Sequence, residues 1–578
     1  MKVQLKQFLE NYKEEVRQAA EEMREEPLPE ITEELFALFE ETGNRVTYEN
    51  VYFRRRKFLA VYGMAAILEE KPQDIHKLCE VIQDICGEVC WALPAHVNRK
   101  GHPDRWMVTV DLFASETAFA LTEIGAHCKE LLPVEILELI REKVTERVLL
   151  PFETSPVPYG IWENNLHNWN AVCSGCIGCT AIYLWKDQPE RLDKLLERLK
   201  ASLTHYVEGF AEDGTCMEGV SYFTYGMSFY AAFSDMLEQY TKGQVDLMAG
   251  EKVKRIMEFQ QKCYFPGGLS VSFSDGSSHE SFRVGLTCFL SRKDPGVKFP
   301  PMAVAAHLTS DNCYRFAELY RDYAFTKDFL ETLPENETEK ETQQSSIQLT
   351  LPFAQWSICR GTMESAAAVK GGHNGEPHNH NDVGSFQYVV GKEQFLADLG
   401  AGEYTREYFK NETRYQIFVN RSLSHNIPLI NGQEQKSGAE YGCTRFSTNG
   451  KGSTEMELQG AYGVSELKSF VRTLDFSELE GMLSVRDVFQ GDENLKILEN
   501  LVTPYVPEIR ENRVILYGES HGCMLEIQTE EPIHTRSMTY PDHHGNPVTV
   551  YLIQWEVLVT EGQGVAAFCI SPMPQEQL

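Results

Sequence analysis

No stretch of this chain approaches the roughly 18 consecutive apolar residues that a membrane-spanning helix needs. The opening residues, Met1 to Val16, carry charge throughout, read as an amphipathic helix and lack the apolar core of a secretory signal, so a cytoplasmic location is expected. Positive charge is in short supply: 54 Lys and Arg stand against 85 Asp and Glu, a net charge of −31 over 578 residues. Such a surface argues against general nucleic-acid binding, which rests on neutralising phosphates, and against docking on anionic lipid. It does not exclude an anionic ligand, because a locally basic cleft can sit within an acidic whole. A repeat of fixed period is also lacking. The fifteen cysteines are odd in number and scattered through apolar segments, which suits free thiols in a reducing compartment better than a disulfide framework.

Helical spacing dominates the first 330 residues. Ile75, Leu78, Ile82, Ile85 and Val89 form one apolar face; Ile136, Leu137, Ile140 and Val144 form another; Leu192, Leu195, Leu196 and Leu199 a third. Many such segments in succession, with little β alternation, predict helical hairpins stacked in a ring or solenoid. The polar stretch 336–346 has no apolar periodicity and reads as a linker. Beyond it, Gly384–Val390, Leu483–Phe489 and Val548–Val559 are rich in β-branched and aromatic residues, with turn signals at Asn431-Gly432 and Asn546-Pro547. The expectation is a multidomain α + β protein: a helical domain at 1–335, the linker 336–346, and a domain of stacked antiparallel sheets at 347–578.

Three of the sixteen histidines fall within eight residues in Gly371-Gly-His-Asn-Gly-Glu-Pro-His-Asn-His-Asn-Asp-Val-Gly-Ser385, at His373, His378 and His380. A lone histidine is usually a satisfied structural residue; clustering beside Asp382 shifts the balance toward a metal or catalytic role. In a strand-like His-x-His, both imidazoles share a face. Asp398 follows the next strand and His425 lies in Arg421-Ser-Leu-Ser-His-Asn426, and two histidines with one carboxylate are a zinc-type set if adjacent strands bring them together. In the helical half, Trp162-Glu-Asn-Asn-Leu-His-Asn-Trp-Asn170 reads as a polar loop before a helix, and Asp213-Gly-Thr-Cys-Met-Glu-Gly-Val-Ser-Tyr-Phe-Thr-Tyr225 as a turn and helix start. Cys173, Cys176 and Cys179 sit in a small-residue helix, so close helix packing is expected there rather than an iron–sulfur cluster.

These pieces, in this order, resemble the heparinase II/III-like polysaccharide lyases and related alginate and oligo-uronide lyases. The sharpest part is residues 371–432: the His-x-His-x-Asp loop, then Leu-Ala-Asp-Leu-Gly, then Arg-Ser-x-Ser-His-Asn. The resemblance implies an N-terminal incomplete (α/α) toroid and a C-terminal antiparallel β-sandwich. It implies a mainly structural Zn2+ at His380, Asp398 and His425, an active-site histidine at His378, and a catalytic tyrosine at Tyr222, with Tyr225 one helical turn on as its competitor. Asn168 or His167 takes the position that faces a uronate carboxylate. Trp169, Glu218, Tyr225, Tyr404, Arg414 and Arg421 are the expected substrate contacts. The implied partner is an anionic, uronate-containing oligosaccharide or polysaccharide, with no nucleic acid and no membrane; a homo-oligomer stays open.

The residue types suit β-elimination. The proton at C5 of a uronate becomes removable once the carboxylate charge is neutralised and the intermediate is stabilised by hydrogen bonds. A base then takes that proton and an acid protonates the departing C4 oxygen. The basic residues Arg406, Lys410, Arg414 and Arg421, interspersed with acids, would make the substrate region locally positive or else form a solvated mixed-charge face. A uronyl C5-epimerase shares the first half of this chemistry. A glycoside hydrolase would instead need two opposed carboxylates, for which Asp213 and Glu218 are candidates. A glycan-binding protein without activity would need none of the Tyr, His and Asn set.

Overall fold

The computed structural model describes residues 1–334 and 347–574. The expected linker, 336–346, lies outside the described residues. Contacts divide the chain into two units. One comprises Met1–Phe210, Tyr222–Glu258 and the segment from Ser281 to residue 334; the other comprises Ala211–Ser221, Phe259–Glu280 and the chain from residue 347 onward.

The first unit is helical. Hairpin neighbours pack on one another: Val46–Glu69 on Pro72–Gly87, Leu112–His127 on Asn168–Trp185, Asn168–Trp185 on Pro189–Glu208, and Val284–Lys293 on Phe316–Thr332. The first helix, Lys2–Glu22, also packs on the last, Phe316–Thr332, as a helical toroid requires. Pro189–Glu208 shows the amphipathic logic: Leu192, Leu195, Leu196, Leu199 and Leu203 are all buried, each worth about 1.5–3 kcal/mol. Asn168–Trp185 follows a different rule, being apolar or small on nearly every side. A Cβ on Gly175 would meet the Phe229 carbonyl oxygen at 2.6 Å, and one on Gly178 would meet the Phe233 ring at 2.3 Å, so the neighbouring helix Val220–Tyr240 lies against bare backbone. Cys173, Cys176 and Cys179 are fully buried in this packing, and all fifteen cysteines are free.

The second unit is antiparallel β. A five-stranded sheet runs in the order Gln348–Leu351, Trp356–Arg360, Ser365–Lys370, Phe386–Val390, Glu393–Leu396. A nine-stranded sheet contains Leu467–Ser477 paired with Met482–Gly491, in turn paired with Gln563–Pro572. A four-stranded sheet contains Ile497–Thr503 between Leu429–Ile430 and Pro547–Val557. Phe470, Phe489, Leu501, Ile553, Trp555 and Phe568 belong to their shared core. Asn431 and Gly432, both at positive φ, form the expected tight turn after Leu429–Ile430.

One charged residue is threaded through that core. Arg472 is fully buried; it forms a bidentate pair with Asp487 and donates Nη1 to the carbonyls of Gly384 at 2.8 Å and Asn426 at 2.7 Å. Those two carbonyls belong to the histidine loop and the Ser-His-Asn segment, so the sandwich interior grips both. The two segments Ala211–Ser221 and Phe259–Glu280, which helical texture in the sequence groups with the helices, fold with the β unit and bring their own side chains to the site.

Candidate active site and metal centre

The histidine loop links Ser365–Lys370 to Phe386–Val390. His378 and His380 do not lie on a strand, as an extended His-x-His would require; His378 sits in a turn with φ of 54°. A non-glycine residue held in the left-handed region costs about 1 kcal/mol or more, and such positions gather at functional sites. The turn still brings both imidazoles to one group, the carboxylate of Asp275. His378 donates Nδ1–H to Oδ2 at 2.7 Å and His380 donates Nε2–H to Oδ1 at 3.0 Å.

Asp275 comes from the Phe259–Glu280 segment, which docks beside the strand end that carries Asp398. Ser272 donates its hydroxyl to the Asp398 carbonyl at 3.1 Å. Gly400, at positive φ, lets the backbone of Gly276 approach where a Cβ would stand 2.0 Å from its carbonyl oxygen. Tyr404 and Tyr408 add hydroxyl donors to the same carboxylate, and Arg414 Nη2 lies 3.4 Å from both of its oxygens. Burial alone would raise the Asp275 pKa; the bonds from His378 and His380 and the charge of Arg414 outweigh it and hold the group well below the ordinary carboxylate value. An ionised carboxylate only accepts, so His378 keeps its proton on Nδ1 and turns Nε2 the other way, 3.5 Å from Glu218 Oε1. Burial works to lower the His378 pKa, and Asp275 and Glu218 overcome it to raise it. An imidazole oriented by a buried carboxylate is suited to general acid–base work.

His380, Asp398 and His425 do come together. Their ligand atoms lie within 4.8 Å of one another, and all three residues are buried. His380 precedes Phe386–Val390 and Asp398 follows Glu393–Leu396, two strands that pair. Asn426, the neighbour of His425, is stapled to them by bonds to the Phe386 and Ala397 carbonyls and from the Val502 amide. The Nε2 of His380 is committed to Asp275, and that of His425 to the Val419 carbonyl at 3.1 Å. Among the described residues, His380 Nδ1, His425 Nδ1 and Asp398 Oδ2 have no hydrogen-bond partner, although the latter two face each other at 3.4 Å. Each buried polar atom left so costs about 1–3 kcal/mol. Three such atoms converging, with the far side of each ring fixed by an acceptor, fit a cation: two neutral imidazoles and a carboxylate are a zinc-type donor set with its outer shell in place. Beside them the buried Lys370 pairs with Asp382 at 2.9 Å and Glu376 at 3.4 Å.

The remaining expected residues fall as follows. In the helical unit, Asn168 is buried at the first position of Asn168–Trp185, and His167 caps that helix by accepting the Trp169 amide on Nδ1 at 3.4 Å. Trp169 packs edge-on against His96, with ring centres 4.7 Å apart. Tyr222 and Tyr225 lie on Val220–Tyr240. Tyr225 donates its hydroxyl to Glu116 and carries Arg315 over its ring at 3.9 Å; burial and Glu116 push its pKa well up. In the β unit, the expected basic cluster is largely paired internally. Arg414 serves Asp275 and the Asn379 and Tyr408 carbonyls, Arg421 pairs with Glu434, and Lys410 with Glu407. Arg421 lines a surface pocket of about 800 Å³ together with Asn381, Tyr415 and Tyr441. Asp213, one of the two carboxylates a hydrolase would use, accepts from Thr215 through Oδ1 and from the amides of Phe353 and Ala354 through Oδ2. Sequence reasoning missed Asp275, whose only local signal is a Ser-Asp-Gly turn, and Tyr408, which reads as an ordinary core aromatic.

No protein-family model matches this chain, and no curated protein matches it in sequence. Solved structures share its fold. Heparinase III matches with a TM-score of 0.62 at 14% identity, over 92% of this chain and 78% of that one. The heparan sulfate lyase HepC from Pedobacter heparinus matches with 0.57 at 12%, over 99% and 89%. The Streptomyces coelicolor A3 chondroitin AC lyase, in complex with chondroitin sulphate, matches with 0.54 at 10%, over 99% and 80%. The fold class is therefore that of these polysaccharide lyases: a helical toroid followed by antiparallel β-sheets. At such identities the likeness is one of fold.

Proposed function

We propose that the protein is a lyase that cleaves uronate-containing glycans by β-elimination, leaving a 4,5-unsaturated uronate end. The observation that carries the reading is His378: an imidazole fixed by a buried carboxylate, its Nε2 on the side of Glu218, next to a His-Asp-His cluster within a fold shared with heparinase III and chondroitin AC lyase. In this reading His378 takes or relays the C5 proton. Tyr222 protonates the departing C4 oxygen and, for a syn substrate, also serves as base. The Asn168 amide neutralises the uronate carboxylate, and Trp169, Glu218, Tyr404 and Arg421 contact the sugar. His167, engaged as a helix cap, and Tyr225, engaged with Glu116 and Arg315, are the weaker candidates for their roles. Zn2+ is the expected occupant of His380, Asp398 and His425; when bound it would tie together the two strand ends and the Ser-His-Asn segment.

The test is a panel of heparan-, chondroitin-, hyaluronan- and alginate-type oligosaccharides, followed by the ultraviolet absorbance of the unsaturated product. Growth of that absorbance on at least one substrate is expected. Inversion at C5 without absorbance would make the protein an epimerase, and new reducing ends without absorbance a hydrolase. The engagement of Asp213 disfavours the hydrolase.

A further inference from the structure

The two oxygens of Asp275 face different neighbours. Oδ1 accepts from His380 Nε2 at 3.0 Å and from the Tyr408 hydroxyl. Oδ2 accepts from His378 Nδ1 at 2.7 Å and from the Tyr404 hydroxyl at 3.2 Å. Arg414 lies 3.4 Å from each and balances the charge. The carboxylate side chain is fully buried, so no water competes for these positions. A neutral imidazole carries one N–H, and whichever nitrogen donates to Asp275 fixes the other as a lone pair.

We propose that Asp275 is a positioning residue that sets the tautomers of two histidines at once, turning the Nδ1 lone pair of His380 toward Asp398 and His425 and making the Nε2 of His378, on the Glu218 side of its ring, the nitrogen that exchanges a proton with substrate. One side chain thereby couples cation binding to the orientation of the acid–base imidazole. The His378 half rests on the lyase reading; the His380 half does not.

The test is Asp275→Asn in the full chain. An amide has one acceptor oxygen and one donor nitrogen, so it satisfies one pair of donors and confronts the other with N–H. Zn(II) affinity is read by competition with a chromophoric chelator, and ligand geometry by the visible spectrum of the Co(II)-loaded protein. The expected result is affinity weakened by roughly 10–100-fold, with an altered Co(II) spectrum. At saturating Zn(II), kcat is expected to fall by roughly 10²-fold or more with KM little changed, as when an imidazole is left in the wrong tautomer. Wild-type affinity and spectrum overturn the metal half; wild-type kcat at saturating metal overturns the His378 half. If the unsubstituted protein yields no unsaturated product on any substrate, the lyase reading fails and the metal half is still read from affinity and spectrum. Should circular dichroism show Asp275→Asn unfolded, Tyr404→Phe and Tyr408→Phe each remove one hydroxyl from opposite oxygens. Tyr404→Phe is expected to lower kcat several-fold at unchanged Zn(II) affinity, and Tyr408→Phe to shift Zn(II) affinity several-fold. Wild-type values in both overturn the proposal.

Discussion

In the helical unit, buried charges close on one another. Arg321 takes both oxygens of Glu123 at 2.8 and 2.9 Å, Arg56 both oxygens of Glu88 at 2.9 and 2.8 Å, and Arg283 shares Asp322 with the Gly285 amide. In the β unit, His380, Asp398 and His425 are buried as deeply, yet among the described residues three of their ligand atoms accept or donate no hydrogen bond, and His425 Nδ1 stands 3.4 Å from Asp398 Oδ2. Ionisable side chains at the same burial thus do two things. A closed pair joins elements and is spent on doing so; a cluster that fixes the backs of its rings and leaves the fronts bare is shaped for something brought from outside.

Tyrosines put that contrast under the greatest strain. Tyr225 belongs to a closed network, so Tyr225→Phe should mainly destabilise, leaving Glu116 short of a donor at a cost of about 1–3 kcal/mol. Tyr222→Phe should stay folded and lose roughly 10²–10⁴-fold in turnover. Assays of unsaturated product beside circular dichroism decide it; a loss of turnover confined to the Tyr225 variant would move chemistry into the closed network and break the comparison. Next in size, Arg321→Met should cost about 3–5 kcal/mol in denaturant unfolding by leaving Glu123 buried and uncompensated, and adding Glu123→Leu should restore most of it. Additive losses in the double variant would mean that the pair is not closed.

The open cluster makes a different forecast. Elemental analysis of protein purified without added metal should find about one zinc per chain, and His425→Ala should abolish it and lower the melting temperature. Full metal content in that variant would remove His425 from the set. The smallest effect is expected at Arg421, paired with Glu434 and partly exposed. Arg421→Ala should change stability by under about 1 kcal/mol, and any larger change should appear in KM for substrate.

The division into helical and β halves was legible because apolar period reports burial on a helix or a sheet directly, as Leu192 to Leu203 and Leu467–Ser477 illustrate. The metal-type cluster was legible because each ligand sits next to a recognisable strand end or polar motif. Asp275 was not, since its role arises only when a segment more than one hundred residues upstream of His378 folds against the β unit, and nothing within Phe-Ser-Asp-Gly records that. The pairing of Arg414 was not legible for the opposite reason: local sequence shows charge, while the buried Asp275 carboxylate that it faces lies far away in the chain. The turn at His378 shows a third limit, because a left-handed residue followed by extended chain delivers the same convergence of imidazoles that a strand would.

The bare backbone of Gly175 and Gly178 has a consequence for how this protein can change. The helix that begins at Asn168 rises about 1.5 Å per residue, so its first turn is held by contacts roughly 10–15 Å further along. With no methyl group to shave and none that can be added, that helix behaves as a fixed ruler clamped at its middle. Change at its leading end would have to be made in the side chains of residues 167–169, because sliding or tilting the rod would first require the clamp to be rebuilt.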